Sequence, residues 1–168
     1  MARTISIGVQ DFAGLIENDG FYIDKTSFIE EWWNNRDSVT LITRPRRFGK
    51  TITMSMFHYF FSLKYVGRSH LFEGLDIWKD EKLKSLQGTY PVIFMTFAGV
   101  KGRTYEEAVK TIKIGIVNLF QQYDYLMNSN KLNKTEKKQF DAVREDMDDV
   151  HAELSLNLLS TLLEKHYG

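Results

Sequence analysis

The chain is organised around the stretch Thr40-Leu41-Ile42-Thr43-Arg44-Pro45-Arg46-Arg47-Phe48-Gly49-Lys50-Thr51. Residues 38–43, Ser-Val-Thr-Leu-Ile-Thr, are mostly β-branched or apolar, which predicts a buried strand there. Pro45 ends that strand, because proline has no N–H to donate to a neighbouring strand. After Gly49-Lys50-Thr51, the residues from 52 to 64 include neither glycine nor proline, which predicts a helix.

A strand, a loop and a helix in this order are what a phosphate-binding loop requires. The N–H groups at a helix N-terminus present partial positive charge to a phosphate. Gly49 would let the main chain approach ATP, Lys50 would contact its β- and γ-phosphates, and the Thr51 hydroxyl would bind Mg²⁺. The predicted nucleotide-binding set consists of Arg46, Arg47, Phe48, Gly49, Lys50, Thr51 and Ile52.

The loop departs from the full Walker A pattern, G-x-x-x-x-G-K-[ST], at its first position, where Arg44 replaces glycine. Arg44, Arg46 and Arg47 also place three guanidinium groups within four residues, and arginine binds phosphate through two parallel hydrogen bonds. The alternative is a basic turn that binds nothing. The predicted strand before the loop and the helix after it favour the phosphate-binding interpretation.

Composition limits the class of protein. The 168 residues are 43% hydrophobic, and 22 basic residues balance 22 acidic ones. Zero net charge argues against a dedicated nucleic-acid coat or membrane-surface binder. The absence of cysteine excludes disulfides and thiolate chemistry. No stretch approaches the ~20 apolar residues of a membrane span, and no signal peptide is evident, so we expect a cytoplasmic protein without membrane contact.

The rest of the chain alternates between strand and helix patterns. Residues 91–97 predict a second buried strand. Thr104-x-x-Glu107 and Asn133-x-x-Glu136 are capping boxes that predict two helices, and a leucine stripe over 154–163 predicts a last helix that ends at Gly168. This order predicts an α/β fold: a P-loop NTPase-like, three-layer α/β/α arrangement around a mainly parallel sheet.

The acidic part of an ATPase is missing from this pattern. Hydrolysis needs a second apolar strand that ends in aspartate, and no such strand is evident here. Two strong strands are also few for a sheet, which usually has about four to six. The sequence therefore predicts a sheet that is incomplete at the C-terminus, with residues 1–168 as the N-terminal part of one domain. Unpaired sheet edges would favour self-association.

Two segments together resemble a known family. Phe21-Tyr22-Ile23-Asp24-Lys25-Thr26 followed by the loop from Leu41 to Thr51 resembles the predicted AAA-ATPase-like proteins of bacteria, in which both segments occur together. Tyr90-Pro91-Val92-Ile93 also fits, and the arginine at the first loop position is a trait of that family. The resemblance covers the whole chain but only the front of the family's ATPase domain. It implies ATP and Mg²⁺ as ligands, a later acidic strand, and in many members a restriction-nuclease-like domain further on.

The leading hypothesis is an ATP-binding module of a P-loop ATPase in which hydrolysis is weak or absent. One alternative is a protein-interaction module that retains the fold without the chemistry. Another is a nucleic-acid-associated module that uses the loop arginines. Because the chain has no net charge, this alternative is plausible only within a longer protein. ATP binding separates the first hypothesis from the second.

Overall fold

The computed structural model describes residues 8–45 and 48–168, so Arg46 and Arg47 lie outside the described residues. The chain divides into two compact units, Met1–Val92 and Ile93–Gly168. The expectation that all 168 residues belong to a single domain stays a prediction. No helix of the described residues is long and apolar enough to cross a membrane.

The first unit is built around one buried helix. Its helices are α1 (Phe12–Glu17), α2 (Ser27–Asn35), α3 (Lys50–Phe61) and the single turn α4 (Glu81–Lys84). Three short 3₁₀ turns follow α3, at Leu63–Tyr65, Ser69–Phe72 and Asp76–Lys79. The core consists mainly of aromatic and long apolar side chains, among them Phe12, Ile29, Met56, Phe60, Leu71, Phe72 and Ile77.

The aromatic residues of α2 contribute to this core. Trp32 packs edge-to-face on Phe57 and Phe61, with ring centroids 5.5 Å apart in both pairs, and Trp33 stacks on Phe61 at 5.7 Å. Aromatic pairs in this range of distances add stabilisation beyond the area they bury. The two tryptophans are therefore packing residues of this core.

The second unit is a group of helices with one apolar core. It contains α5 (Tyr105–Gln121), α6 (Lys134–Asp141) and α7 (Asp149–Tyr167), with a 3₁₀ turn at Asp124–Asn128. Three of its predicted helix ends are confirmed. The Thr104 hydroxyl accepts from the Glu107 N–H at 3.2 Å, Asn133 and Glu136 form a complete capping box, and Gly168 caps α7.

The prediction of a three-layer α/β/α fold around a parallel sheet is wrong for the residues that the structure describes. They contain no strand, and the segments 38–43 and 91–97 are neither helical nor paired into a sheet. Val39 and Leu41 are 85% and 82% exposed, whereas a central strand would bury them. β-branched residues favour a pleated chain only where a neighbouring strand and a packed face are present, and this segment has neither.

Within the described part of the chain, one pair of segments forms a parallel β-bridge. Ser62, directly after α3, forms an isolated parallel bridge with Tyr90. The Tyr90 N–H donates to the Phe61 carbonyl at 2.9 Å, and the Leu63 N–H donates to the Tyr90 carbonyl at 2.9 Å. The end of α3 is thereby fastened to the chain just before residue 91.

Candidate functional site

The N-terminus of α3 has no side-chain cap. Gly49 is its N-cap residue, has the left-handed conformation (φ 75°, ψ 20°), and offers no side chain to cap the helix. By contrast, Asp11 caps α1 and Asp148 caps α7 through side-chain oxygens. The Thr53 N–H donates to the Gly49 carbonyl at 2.9 Å, which begins the helical hydrogen bonding. Helix geometry leaves the preceding N–H groups without an intrahelical acceptor.

Lys50 lies at the first position of α3 and its side chain folds back over the loop. Its ammonium group donates to the Arg44 carbonyl and to the Pro45 carbonyl, the latter at 3.2 Å. Arg44 thus contacts Lys50 through its main chain, and a role of its guanidinium group in phosphate binding stays a prediction. A phosphate that bound here would replace these carbonyls as the acceptor for Lys50.

A second lysine reaches the same loop from a distant part of the sequence. The Lys25 ammonium donates to the Phe48 carbonyl at 3.4 Å. A Cβ atom at position 49 would lie 3.2 Å from the Lys25 nitrogen. Glycine at position 49 is favoured by the left-handed backbone, and a side chain there would require only a small shift of the flexible Lys25 head group.

The segment that carries Lys25 is held from both sides of that residue. The Tyr22 hydroxyl donates to the Met56 sulfur at 3.2 Å and accepts from the Lys25 N–H at 3.3 Å. Burial raises the pKa of Tyr22 to about 12, so it is a neutral donor at all ordinary pH values. Tyr22 therefore fastens this segment to α3.

Asp24 and Thr26 fasten the same segment to the 3₁₀ turn at Asp76–Lys79. The Asp24 carboxylate accepts from the Thr26 N–H at 2.8 Å, the Thr26 hydroxyl at 2.7 Å and the Asp76 N–H at 2.8 Å. The Thr26 hydroxyl oxygen in turn accepts from the Ile77 N–H at 3.1 Å. The Asp24 and Thr26 side chains thus bind the main chain of the 3₁₀ turn at Asp76–Lys79, whereas the side chain of Lys25 between them reaches the Phe48 carbonyl.

An open pocket of about 330 Å³ adjoins the N-terminus of α3. Its walls are mainly apolar, with the Lys25 side chain and the Gly49 main chain among them. The lining residues are Leu15, Phe21, Tyr22, Ile23, Lys25, Phe48, Gly49, Ile52 and Thr53. Phe21, Ile23 and Phe48 are 54%, 64% and 58% exposed, so a planar ligand in the pocket would cover apolar surface that now faces water.

The structure brings most of the sequence-predicted site residues to this place. Phe48 and Ile52 line the pocket, Gly49 and Lys50 form the helix start, and Thr51 is exposed in the first turn. Arg46 and Arg47 were also predicted as phosphate ligands, but they lie outside the described residues. Lys25 was missed as a site residue, although its segment was one of the two on which the family resemblance rests.

Among the described residues, no cluster of carboxylates accompanies Thr51, the predicted metal ligand. Within 8–45 and 48–168, no group of three or more His, Cys, Asp or Glu side chains could hold a metal ion. The Asp24 carboxylate is part of the hydrogen-bond network that fastens its own segment. A Mg²⁺ ion near Thr51 would therefore depend mostly on oxygens from the nucleotide and from water.

Comparison with known proteins assigns the class of this chain. The sequence model of a family described as a predicted AAA-ATPase, AAA-ATPase-like, matches residues 6–158. This match extends over most of the chain, and the chain belongs to the AAA-ATPase-like family. No curated protein and no solved structure matches it significantly.

Proposed function

We propose that this chain is an ATP-binding module whose phosphate site is the N-terminus of α3. The observation that carries the proposal is the open helix start at Gly49, directly followed by Lys50 and lacking any side-chain cap. Membership of a family of predicted AAA-ATPases supports a nucleotide as the ligand. The N–H groups of Lys50, Thr51 and Ile52 would donate to phosphate oxygens, and the helix dipole favours the negative charge there.

Lys50 would change its acceptors when ATP binds. Its ammonium group now donates to the Arg44 and Pro45 carbonyls. A phosphate oxygen carries negative charge and attracts the Lys50 ammonium group more strongly than a neutral carbonyl oxygen does. The exchange is therefore favourable, and Arg46 and Arg47 of the same loop are proposed as further phosphate contacts.

The pocket beside Gly49 would take the nucleoside. Small-molecule sites are concave and mainly apolar, with volumes of roughly 300–1,000 Å³, and the pocket falls within that range. Phe21, Ile23 and Phe48 offer faces against which a base could pack. We propose that Mg²⁺ would be held by the Thr51 hydroxyl together with the phosphates.

We propose that hydrolysis by this chain is slow. Phosphoryl transfer needs a cradle for the phosphates, a held metal and an oriented water. Asp24 is the acidic residue that directly precedes Lys25 in the sequence. Its carboxylate already accepts three hydrogen bonds. Catalysis of this kind depends on positioning and electrostatics, and Asp24 is already occupied by these hydrogen bonds, so we expect little turnover. Phosphate release with Mg²⁺ and saturating ATP should therefore be close to the rate of Lys50→Ala.

The proposal is tested by removing the Lys50 ammonium. In Lys50→Ala, we expect ATP affinity to fall by at least about tenfold, because a charge-assisted phosphate contact is worth about 1.5–3 kcal/mol. Isothermal titration with ATP and Mg²⁺ measures this. Lys82→Ala is the matched control, since it removes an exposed lysine of α4 in the same unit. Equal affinities of wild type and Lys50→Ala would contradict the proposal.

A protein-interaction module remains the second candidate. The observation in its favour is the exposed apolar segment at 38–43, where Val39 and Leu41 are almost fully accessible. Exposed apolar surface of this kind is typical of interaction sites. A wild-type chain that binds no nucleotide would favour this second function.

A further inference from the structure

We infer that Lys25 is a second phosphate-binding cation of the site at the N-terminus of α3, acting together with Lys50. The inference rests on the proposed function and extends it, because neither the loop pattern nor the family match assigns this residue a role. Its ligand class is the polyphosphate of a nucleoside di- or triphosphate.

The Lys25 ammonium group lies beside the start of α3. It lies 3.4 Å from the Phe48 carbonyl and 3.2 Å from the Cβ position of residue 49. Lys50 contacts the same loop at its beginning, through the Arg44 and Pro45 carbonyls. The two ammonium groups thus contact the loop at both of its ends, next to the open helix start.

The Lys25 ammonium group is only weakly bound to the Phe48 carbonyl. A donor–acceptor distance of 3.4 Å is longer than the usual 2.7–3.2 Å of an N–H···O hydrogen bond. Among the described residues, no acidic side chain pairs with its ammonium group. A phosphate oxygen would be a stronger acceptor than the Phe48 carbonyl, and binding it would not break an ion pair.

The backbone that carries Lys25 is pre-organised for binding. The main chain on either side of Lys25 is fastened by Tyr22, Asp24 and Thr26, each of which binds toward the core. Only the flexible stem of Lys25 has to be ordered when a ligand arrives, which lowers the entropic cost of binding. The same stem lines the pocket proposed for the nucleoside, so one residue would adjoin both parts of ATP.

The experiment compares ligands that share parts of ATP. Affinities for ATP, inorganic tripolyphosphate and adenosine are measured by isothermal titration for wild type, Lys25→Gln, Lys25→Arg, Lys50→Ala and the control Lys82→Gln. We expect Lys25→Gln to weaken ATP and tripolyphosphate by at least about fivefold and to leave adenosine unchanged, because only the phosphates meet the charge. Lys25→Arg should stay within about threefold of wild type, since its guanidinium group also forms charge-assisted hydrogen bonds to phosphate.

The melting temperature is recorded for every variant. We expect Lys25→Gln to melt like Lys82→Gln, because the hydrogen bond it loses is long and surface-exposed. A Lys25→Gln variant that binds ATP like Lys82→Gln, while Lys50→Ala loses binding, would overturn the inference and leave the proposed function intact. Equal losses for ATP and adenosine, with a lowered melting temperature, would show a structural role and also overturn it. Wild type that binds neither ATP nor tripolyphosphate would overturn both.

Discussion

Asp24 and Thr26 show how two polar side chains can hold a binding segment in place without touching the ligand. Thr26 is fully buried, and its hydroxyl donates to Asp24 while accepting from the Ile77 N–H. Buried polar groups stabilise a fold only when their hydrogen bonds are made, and here each of them has a partner. The pair thus fixes the backbone from which Lys25 extends.

Thr26→Val should destabilise the first unit. Valine keeps the shape of threonine but cannot accept from the Ile77 N–H, and an unsatisfied buried donor costs about 1–3 kcal/mol. Urea unfolding followed by circular dichroism measures the change. Thr89→Val is the control, because the Thr89 hydroxyl is exposed and bonds only to the nearby Leu86 carbonyl. Equal unfolding midpoints for the two variants would contradict this account of Thr26.

His58 in α3 makes the stability of the first unit depend on pH. Burial is the largest cause that lowers the pKa of His58, Lys64 adds to it and Asp11 opposes it, and together they lower the pKa from 6.5 to about 4. Its ring packs edge-to-face on Tyr65, with centroids 5.0 Å apart. The folded state therefore holds His58 neutral at a pH where the unfolded state is already protonated.

The sign of the effect follows from linkage. The stabilisation is fully present above about pH 6.5 and is lost as the pH falls toward about 4, because protons bind preferentially to the unfolded chain. We expect wild type to lose more thermal stability than His58→Gln between about pH 7 and about pH 5. Melting curves of both proteins at several pH values test this. Parallel pH profiles would show that His58 does not contribute.

At the scale of elements, the connection after α3 depends on one glycine. Gly88 has φ +70°, and a Cβ atom there would lie 2.6 Å from the Val66 Cα. Its N–H donates to the Phe60 carbonyl at 2.8 Å, at the end of α3. The close approach of two backbones, in a conformation that other residues rarely adopt, leaves no room for a side chain.

Gly88→Ala should therefore destabilise the first unit by more than about 2 kcal/mol, since left-handed strain of about 1–2 kcal/mol adds to a clash with backbone atoms. The control is Gly67→Ala. Gly67 has no positive φ and no atom within 4 Å of its added Cβ, so alanine should be neutral or slightly stabilising there. Chemical denaturation of both variants gives the comparison. If both shift the midpoint equally, the contact with Val66 is not decisive.

At the scale of the whole molecule, zero net charge combines with an exposed apolar segment. The chain carries equal numbers of acidic and basic residues, so little electrostatic repulsion keeps copies apart near neutral pH. The segment 38–43, Ser-Val-Thr-Leu-Ile-Thr, has no charge and high β-propensity, and its Val39 and Leu41 are exposed. Such segments are prone to pair with other chains.

We predict concentration-dependent self-association through this segment. Leu41→Lys should shift the chain toward the monomer, because it places a charge within the exposed apolar run. Sedimentation velocity at several protein concentrations measures the effect. Val150→Lys, at an exposed apolar position of α7, is the control for a general gain of charge. A wild-type chain that stays monomeric at every concentration would rule out the prediction.

The amino-acid sequence by itself determined three helix boundaries, whereas the helix predicted over 52–64 begins and ends earlier, at Lys50–Phe61. The caps at Thr104, Asn133 and Gly168 bind residues three or four positions away, so the information needed is local. The sequence also determined the family, because the segments at 21–26 and 41–51 occur together, and the match over 6–158 confirms it. A helix start close to Gly49 and Lys50 could also be predicted, since it is a local feature, and its role as a phosphate site stays a prediction.

Only the tertiary structure decided the features that depend on distant residues. The strand patterns at 38–43 and 91–97 did not become strands in the described residues, because a strand exists only with a partner, which its own sequence does not specify. Lys25 reaches the loop across 23 positions of sequence, and no local pattern predicts that contact. The depth at which His58 lies, and with it its lowered pKa, also comes from packing between elements, because desolvation depends on every neighbour that excludes water.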